Sequence, residues 1–234
     1  MSNGEPDRAI VLSGLGKRFG SRWVLRGVTL EVARGEAVGL LGANGSGKST
    51  VLRILATLLK PNAGSGWVNG SEIVGGALDV RSQVGFLAHT PGLYDDLTAR
   101  ENLRFAADML GLPYTAVNAT LERVGLIHVA DDRARGFSAG MQRRLALGRL
   151  VLRGARVLLL DEPYSNLDAE GVGLMNAVVG DVVRSGGAAL LALHELAPAR
   201  GMLDRTLTLA DGRIAAEDPN RATREDPRLV PVTR

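Results

Sequence analysis

A glycine-rich segment at residues 42–50, GANGSGKST, matches the pattern GxxxxGK followed by Ser or Thr and precedes the helical run VLRILATLLK. Glycines allow successive backbone N–H groups to turn inward around a phosphate at the start of a helix. The lysine of this pattern can reach the β- and γ-phosphates of a nucleotide, and the next hydroxyl can bind Mg²⁺. The candidate phosphate-binding residues are Gly42, Ala43, Asn44, Gly45, Ser46, Gly47, Lys48, Ser49 and Thr50, and Ser49 is also a candidate metal ligand.

The apolar run VLLLD at residues 157–161 ends in Asp161, and a second acidic residue, Glu162, follows it. An acid at the carboxyl end of a buried strand suits a Mg²⁺ ion beside a triphosphate, which makes Asp161 a second candidate metal ligand. Glu162, one residue further on, is the candidate general base that polarises an attacking water. Because acids also end strands at ordinary surfaces, this assignment depends on the phosphate loop upstream.

The elements that must position these residues alternate along the chain. Short runs that are apolar on both faces are separated by helical patterns, which predicts a buried, largely parallel sheet in an α/β fold. Antiparallel strands are expected near the N-terminus, and a closing hairpin is expected around Asp211-Gly212. The predicted strands are residues 9–12, 28–32, 37–41, 84–88, 157–161, 188–193 and 206–209.

A helical subdomain is predicted within the sheet, at about residues 89–154, where TARENLRFAADML and SAGMQRRLALGRLVL have helical periodicity. It forms part of one predicted domain at residues 8–215. Residues 216–234 contain prolines and mixed charges with little to bury, which predicts a loosely ordered tail. We find no internal repeat and no heptad run long enough for a coiled coil.

Composition excludes several classes of function. The 234 residues include 28 basic and 25 acidic side chains, and a net charge of +3 does not argue for a nucleic-acid partner. The absence of cysteine excludes disulfides, thiolate zinc sites and a cysteine nucleophile. No apolar run approaches the roughly 20 residues that span a bilayer, and the N-terminus lacks the pattern of a secretory signal. We therefore expect a cytoplasmic protein.

In this order the motifs resemble those of the ATP-binding subunits of ABC transporters, up to about residue 215. FSAGMQRRLALGRL, from Phe137, resembles the signature motif of that family, with Ala139 and Met141 where the family usually has glycine and often glutamine. The resemblance implies a P-loop nucleoside triphosphatase core with ATP and Mg²⁺ as cofactors. It also implies a head-to-tail homodimer in the ATP-bound state, in which Ser138 and Gly140 contact the γ-phosphate held by the other subunit.

The resemblance assigns further positions. SNLD, ending at Asp168, resembles the D-loop, and His194 resembles the switch histidine that hydrogen-bonds the γ-phosphate and positions the water. Phe19 lies where the family stacks an aromatic ring on adenine, with packing into the core as the alternative. His89 lies where the family has a glutamine that touches the metal and the membrane partner. Imidazole is a poorer ligand for a hard cation than an amide oxygen, which counts against a metal contact at His89.

The resemblance implies a Mg²⁺-dependent ATPase subunit with Glu162 and His194 as catalytic residues. It would lie on the inner face of the cell membrane and power a separate integral membrane permease, with no nucleic-acid partner. Within the family, His-Thr-Pro-Gly at residues 89–92, LTARENL and the alanine-containing signature are similar to the heme-exporter subunit of cytochrome c maturation. A drug or polysaccharide exporter is the alternative subtype. A soluble, non-transport ATPase of the same family is the alternative of another class, although the coiled-coil insertion or second ATP module usual there does not fit 234 residues.

Overall fold

Two β-sheets organise the protein in the computed structural model, which describes residues 7–218. Strands form where the sequence alternates or is continuously apolar, and two of the predicted strands, residues 37–41 and 157–161, have the observed bounds. The strands are β1 (Arg8–Phe19), β2 (Arg22–Ala33), β3 (Ala37–Leu41), β4 (Ala63–Val68), β5 (Ser71–Glu72), β6 (Val84–Leu87), β7 (Val157–Asp161), β8 (Ala188–Ala192), β9 (Arg205–Ala210) and β10 (Arg213–Asp218).

The larger sheet has the strand order β10-β9-β3-β8-β7-β6. The five strands from β9 to β6 in this order pair in parallel, and β10 is added at the other edge as an antiparallel hairpin with β9. Strand β7 is buried on both faces: Leu159 packs into one hydrophobic cluster, whereas Leu158 and Leu160 pack into another on the opposite side. This alternation explains the continuous apolar run, since both faces of a parallel sheet are covered.

The smaller sheet has the order β2-β1-β4-β5 and is antiparallel throughout. Strand β4 was not among the predicted strands, because its sequence, AGSGWV, is rich in glycine and lacks a period-two apolar pattern. A Cβ on Gly66 would lie 2.6 Å from Leu12 Cδ2, so close packing against β1 explains the small residue. The predicted α/β core with N-terminal antiparallel strands is confirmed.

Six α-helices accompany the sheets among the described residues. Helix α3 starts at a capping box between Thr98 and Glu101, and α5 starts at the cap residue Ser138. Three of the helices lie between β6 and β7 and share a hydrophobic cluster of their own, which is the inserted helical part of the fold. The helices are α1 (Lys48–Leu55), α2 (Ala77–Gln83), α3 (Ala99–Leu110), α4 (Thr115–Arg123), α5 (Ala139–Arg153) and α6 (Ala169–Arg184).

The C-terminal boundary differs from the prediction. The tail was predicted to begin at residue 216, but β10 continues to Asp218 because its register with β9 pairs Asp218 with Thr206. The rest of the predicted tail lies outside the described residues. Within residues 7–218, the helices are all too short or too polar to cross a bilayer.

Candidate functional site

The phosphate loop lies between β3 and α1, at the carboxyl edge of the parallel sheet. Gly42 and Gly47 adopt φ angles of +152° and +109°, which L side chains rarely adopt. A Cβ on Gly42 would lie 2.4 Å from Leu209 O, and one on Gly47 would lie 2.6 Å from Leu25 Cδ2. Both glycines are therefore required by backbone conformation and by close packing.

Lys48 begins α1 and is buried, with 6% of its surface exposed. Its Nζ donates to Gly42 O at 2.6 Å and to Ala43 O at 3.2 Å. These bonds hold the ammonium group against the same loop whose N–H groups would surround a phosphate. Burying an ammonium group costs free energy unless acceptors or an opposite charge lie beside it, so this position suits a bound anion.

The two candidate metal ligands meet at this edge although 112 residues separate them. Ser49 Oγ donates to Asp161 Oδ1 at 2.9 Å. Asp161 is 1% exposed, and its Oδ2 is a buried atom without a hydrogen-bond partner among the described residues. Buried polar atoms are ordinarily satisfied, and Mg²⁺ favours one or two carboxylates together with substrate phosphates. The donor set therefore fits Mg²⁺ at Ser49 and Asp161.

Glu162 follows Asp161 in a left-handed backbone conformation, with φ +48°. A non-glycine residue in this region stores strain of about 1–3 kcal/mol, and such residues cluster at active sites. Its backbone N–H donates to Ala192 O at 3.0 Å, which ties the residue to the end of β8. Its Oε2 accepts from Ser165 Oγ at 3.4 Å and lies 3.2 Å from His89 Nδ1. The structure thus places His89 beside the candidate base.

Phe19 lines a pocket of about 410 Å³ together with the phosphate loop and Glu162. The ring is 49% exposed and lies outside the hydrophobic clusters, so the alternative of core packing is wrong. Lys17 Nζ lies 5.3 Å from the ring centroid. Arg22, the hairpin partner of Phe19, lines the same pocket and was not predicted. The remaining lining residues are Val24, Asn44, Gly45, Gly47, Lys48, Ser49 and Thr50.

His194 follows β8 and is exposed in a second concavity, next to the first. Glu162 lines both concavities, so it stands between the phosphate loop and His194. Tyr164 OH donates to Asn176 Oδ1 at 2.6 Å, and Asn176 Nδ2 donates to Pro198 O at 3.0 Å. These two hydrogen bonds connect the segment after Glu162 to the segment after His194. Burial raises the pKa of Tyr164, which keeps its hydroxyl protonated as the donor.

The predicted signature residues lie elsewhere. Ser138 is exposed, and its Oγ accepts from Met141 N at 3.2 Å as the cap of α5. A Cβ on Gly140 would lie 2.9 Å from Asn166 O, so this glycine also permits close packing on the loop before α6. Asp168 caps α6 through Gly171 N and pairs with Arg144. None of these predicted residues lines the phosphate-loop pocket, and their contacts with nucleotide stay predictions.

Arg143 was missed by the sequence analysis. It is 2% exposed, and its guanidinium donates to the backbone carbonyls of Asp161 and Glu162. The signal available in the sequence is its position on the helix, since Arg143 lies four and seven residues before the buried Leu147 and Leu150. A charged residue on the apolar face of a helix needs an internal partner.

The parallel sheet, the phosphate loop after β3 and the acidic pair after β7 define a P-loop nucleoside triphosphatase. The sequence profile of the family described as "ABC transporter" matches residues 25–165. The chain belongs to the ABC transporter family and is an ATP-binding subunit of that family. Membership makes it a nucleotide-binding protein of the ABC ATPase type.

Similar proteins cover nearly the whole chain. A "Cytochrome c biogenesis ATP-binding export protein CcmA 2" of Cupriavidus metallidurans is 38% identical over 83% of this chain and 93% of its own. A "Daunorubicin resistance ATP-binding protein DrrA3" of Streptomyces coeruleorubidus is 38% identical over 90% of this chain and 68% of its own. A solved structure of an "ATP binding subunit of ABC transporter" superposes with a TM-score of 0.83 at 29% identity, covering 91% of this chain and 90% of that one.

Proposed function

We propose that the chain hydrolyses ATP in a Mg²⁺-dependent manner and that two copies share the nucleotide sites. The observation that carries the proposal is the meeting of Ser49, Asp161 and Glu162 beside the phosphate loop. Bound Mg²⁺ would neutralise charge on the phosphates. Lys48 and the loop N–H groups would bind the triphosphate, and Ser49 and Asp161 would hold the ion.

Glu162 is proposed to accept the proton of the attacking water, because it lines the phosphate-loop pocket and its backbone is held by the end of β8. His194 is proposed to orient the γ-phosphate from the neighbouring concavity, which also contains Glu162. Phe19 is proposed to stack on adenine, since its half-exposed ring lines the same pocket as the loop. His89 contacts Glu162 rather than Asp161, which supports a role beside the base and not on the metal.

The second copy is proposed to supply the signature residues Ser138 and Gly140, as well as the D-loop around Asp168. Ser138 caps α5 at an exposed helix N-terminus, where N–H groups and the helix dipole favour an anion. Within one chain, Ser138 and Gly140 do not line the phosphate-loop pocket. A head-to-tail pair would bring each signature helix onto the triphosphate of the other chain.

A separate membrane permease is proposed to dock near α3. A groove of about 660 Å³ runs between the segment after β6 and this helix. Large apolar side chains at the groove are exposed, with Met109 75% exposed and Phe105 45% exposed. Contiguous exposed apolar surface is typical of a protein interface. This site would place the chain on the inner face of the membrane and connect the permease to the loop of His89.

The transport pathway is proposed to be heme export in cytochrome c biogenesis. The support is the motif His-Thr-Pro-Gly at residues 89–92 and the likeness to export proteins of that name. The daunorubicin resistance relative supports a drug exporter as the second candidate. Deleting the gene in its own organism should abolish covalently bound heme in c-type cytochromes, and the wild-type chain should restore it. Normal cytochrome c together with increased drug sensitivity would favour the second candidate.

The hydrolytic function is tested with Glu162→Gln. This variant should bind ATP as tightly as wild type but hydrolyse it about 10²–10⁴-fold more slowly, because the amide cannot accept a proton. Phosphate release measures the rate, with and without Mg²⁺, and calorimetry measures binding. Glu122→Gln, an exposed position on α4, is the control. Wild-type turnover by Glu162→Gln would overturn the assignment of the base.

A further inference from the structure

Arg143 contacts two separate segments at the catalytic edge through five backbone carbonyls. Its Nη1 donates to Ala88 O at 2.7 Å and to His89 O at 3.1 Å, both in the segment after β6. Its Nη2 and Nε donate to the end of β7 and the residues after it. These acceptors are Asp161 O at 2.8 Å, Glu162 O at 2.5 Å and Pro163 O at 3.3 Å.

The guanidinium reaches these carbonyls from a buried position on α5. Burial lowers the pKa of Arg143, and the nearby charges of Asp161 and Glu162 act in the opposite direction. Arginine stays charged in proteins and presents donors in a rigid planar fork. The planar guanidinium can therefore hold two chain segments at a fixed separation, which the single ammonium group of a flexible lysine side chain cannot do equally well.

The two segments carry the side chains that meet at the candidate base. His89 Nδ1 lies 3.2 Å from Glu162 Oε2, and Arg143 binds the backbone carbonyls of both residues. The side chain of His89 is 61% exposed and that of Glu162 is 30% exposed, so packing alone leaves both of them room to move. The hydrogen bonds of Arg143 therefore constrain the backbone on both sides of this contact.

We propose that Arg143 is a positioning residue that holds Glu162 and His89 in the arrangement needed for hydrolysis. This inference rests on the proposed function, since it assumes that Glu162 is the base. Arg143 lies on α5, five residues after its cap residue Ser138. Arg143 therefore connects the helix end proposed to meet the partner's nucleotide with the base of its own chain.

Arg143→Lys and Arg143→Met test this role in the full chain. Lysine keeps the charge but cannot span both segments, and methionine removes all the donors. We expect kcat to fall about tenfold or more, because small misplacements of catalytic groups are costly, while KM for ATP and the dissociation constant stay within about twofold. Arg123→Lys is the control, since Arg123 is exposed at the end of α4 and pairs with Asp181 of α6.

His89→Ala separates positioning from general structural support. If Arg143 acts through the His89–Glu162 contact, Arg143→Lys should lower kcat less in the His89→Ala background than in wild type. Equal fold-changes in the two backgrounds would mean that the residues act independently and would overturn the proposal. Thermal unfolding and ATP-binding stoichiometry report the folded fraction of each variant.

The outcomes distinguish this inference from the proposed function. Wild-type kcat in folded Arg143→Lys, together with an inactive Glu162→Gln, would overturn the positioning role alone. A loss of kcat that only matches the loss of folded protein would also overturn it. Wild-type turnover in Glu162→Gln would instead overturn the base on which the inference rests.

Discussion

The predicted nucleotide contacts lie in two regions, the phosphate-loop edge and the N-terminal end of α5. The two regions differ in burial and in hydrogen bonding. At the loop edge, Lys48 and Asp161 are buried, and Ser49 bonds directly to Asp161. At the start of α5, Ser138 is exposed, and its contact within the chain is the cap to Met141 N. The first region is preassembled for a ligand, whereas the second is an exposed helix N-terminus.

This difference supports the proposal that two copies of the chain share each nucleotide site. A preassembled edge can bind nucleotide without help, since its donors are already oriented. An exposed helix end contributes only when another surface brings an anion to it. Changes at the loop edge should therefore impair binding in the single chain, and changes at the start of α5 should impair pairing.

The largest effect on ATP affinity is expected from Lys48→Ala. A hydrogen bond to a charged group contributes about 1.5–3 kcal/mol, so ATP affinity should fall roughly 10- to 150-fold. Calorimetry on the isolated chain measures the loss. Lys60→Ala is a matched control, because this lysine side chain is exposed beyond α1. Unchanged affinity in Lys48→Ala would mean that the loop edge is not the nucleotide site.

A smaller effect is expected from Phe19→Ala, which removes the proposed stacking surface for adenine. Stacking of a base on an aromatic ring contributes about 1–3 kcal/mol, so the dissociation constant should rise by roughly fivefold or more. Phe19→Tyr should keep most of the affinity, and Tyr114→Ala controls for loss of an exposed ring. An affinity for ATP equal to that of wild type would remove Phe19 from the site.

The smallest effect is expected from Asp168→Asn at the start of α6, where the side chain pairs with Arg144 of α5. The hydrogen bond from Arg144, followed by that from the Gly171 N–H, lowers the pKa of Asp168. A lowered pKa contributes stability above the unfolded value of about 3.9, and this contribution disappears as the pH falls through the folded value. Asparagine keeps the cap but loses the charge. At about pH 7 the variant should unfold at a slightly lower temperature than wild type, and this difference should shrink as the pH falls below about 3.9. A difference that does not shrink in acid would contradict the ion-pair explanation.

The sequence predicted most of the phosphate-loop edge because its signals are local. The loop pattern spans nine residues, and the run VLLLD has the same bounds as β7. The bond from Ser49 to Asp161 was predictable as shared metal ligation, although nothing local links residues so far apart. Strand β4 was missed because tertiary packing against Leu12, rather than apolar periodicity, holds it in the sheet.

The role of Arg143 could not be predicted for a different reason. Its hydrogen-bond partners are backbone carbonyls of two distant segments. Every residue has a backbone carbonyl, so the sequence does not indicate which ones Arg143 contacts. In the run Met-Gln-Arg-Arg, the buried Arg143 and its neighbour Arg144, which pairs with Asp168, cannot be told apart by type. The contact of His89 with Glu162 likewise depends on how the sheet brings β6 beside β7.

Light scattering of Glu162→Gln with saturating ATP and Mg²⁺ tests most directly whether two copies share the nucleotide sites. We expect a particle with twice the mass of the chain, which returns to the mass of one chain when nucleotide is removed. Adding Ser138→Arg to this variant should leave ATP binding intact but keep the particle at the mass of one chain. A Glu162→Gln chain that binds ATP and stays at the mass of one chain would show that two copies do not share the nucleotide sites.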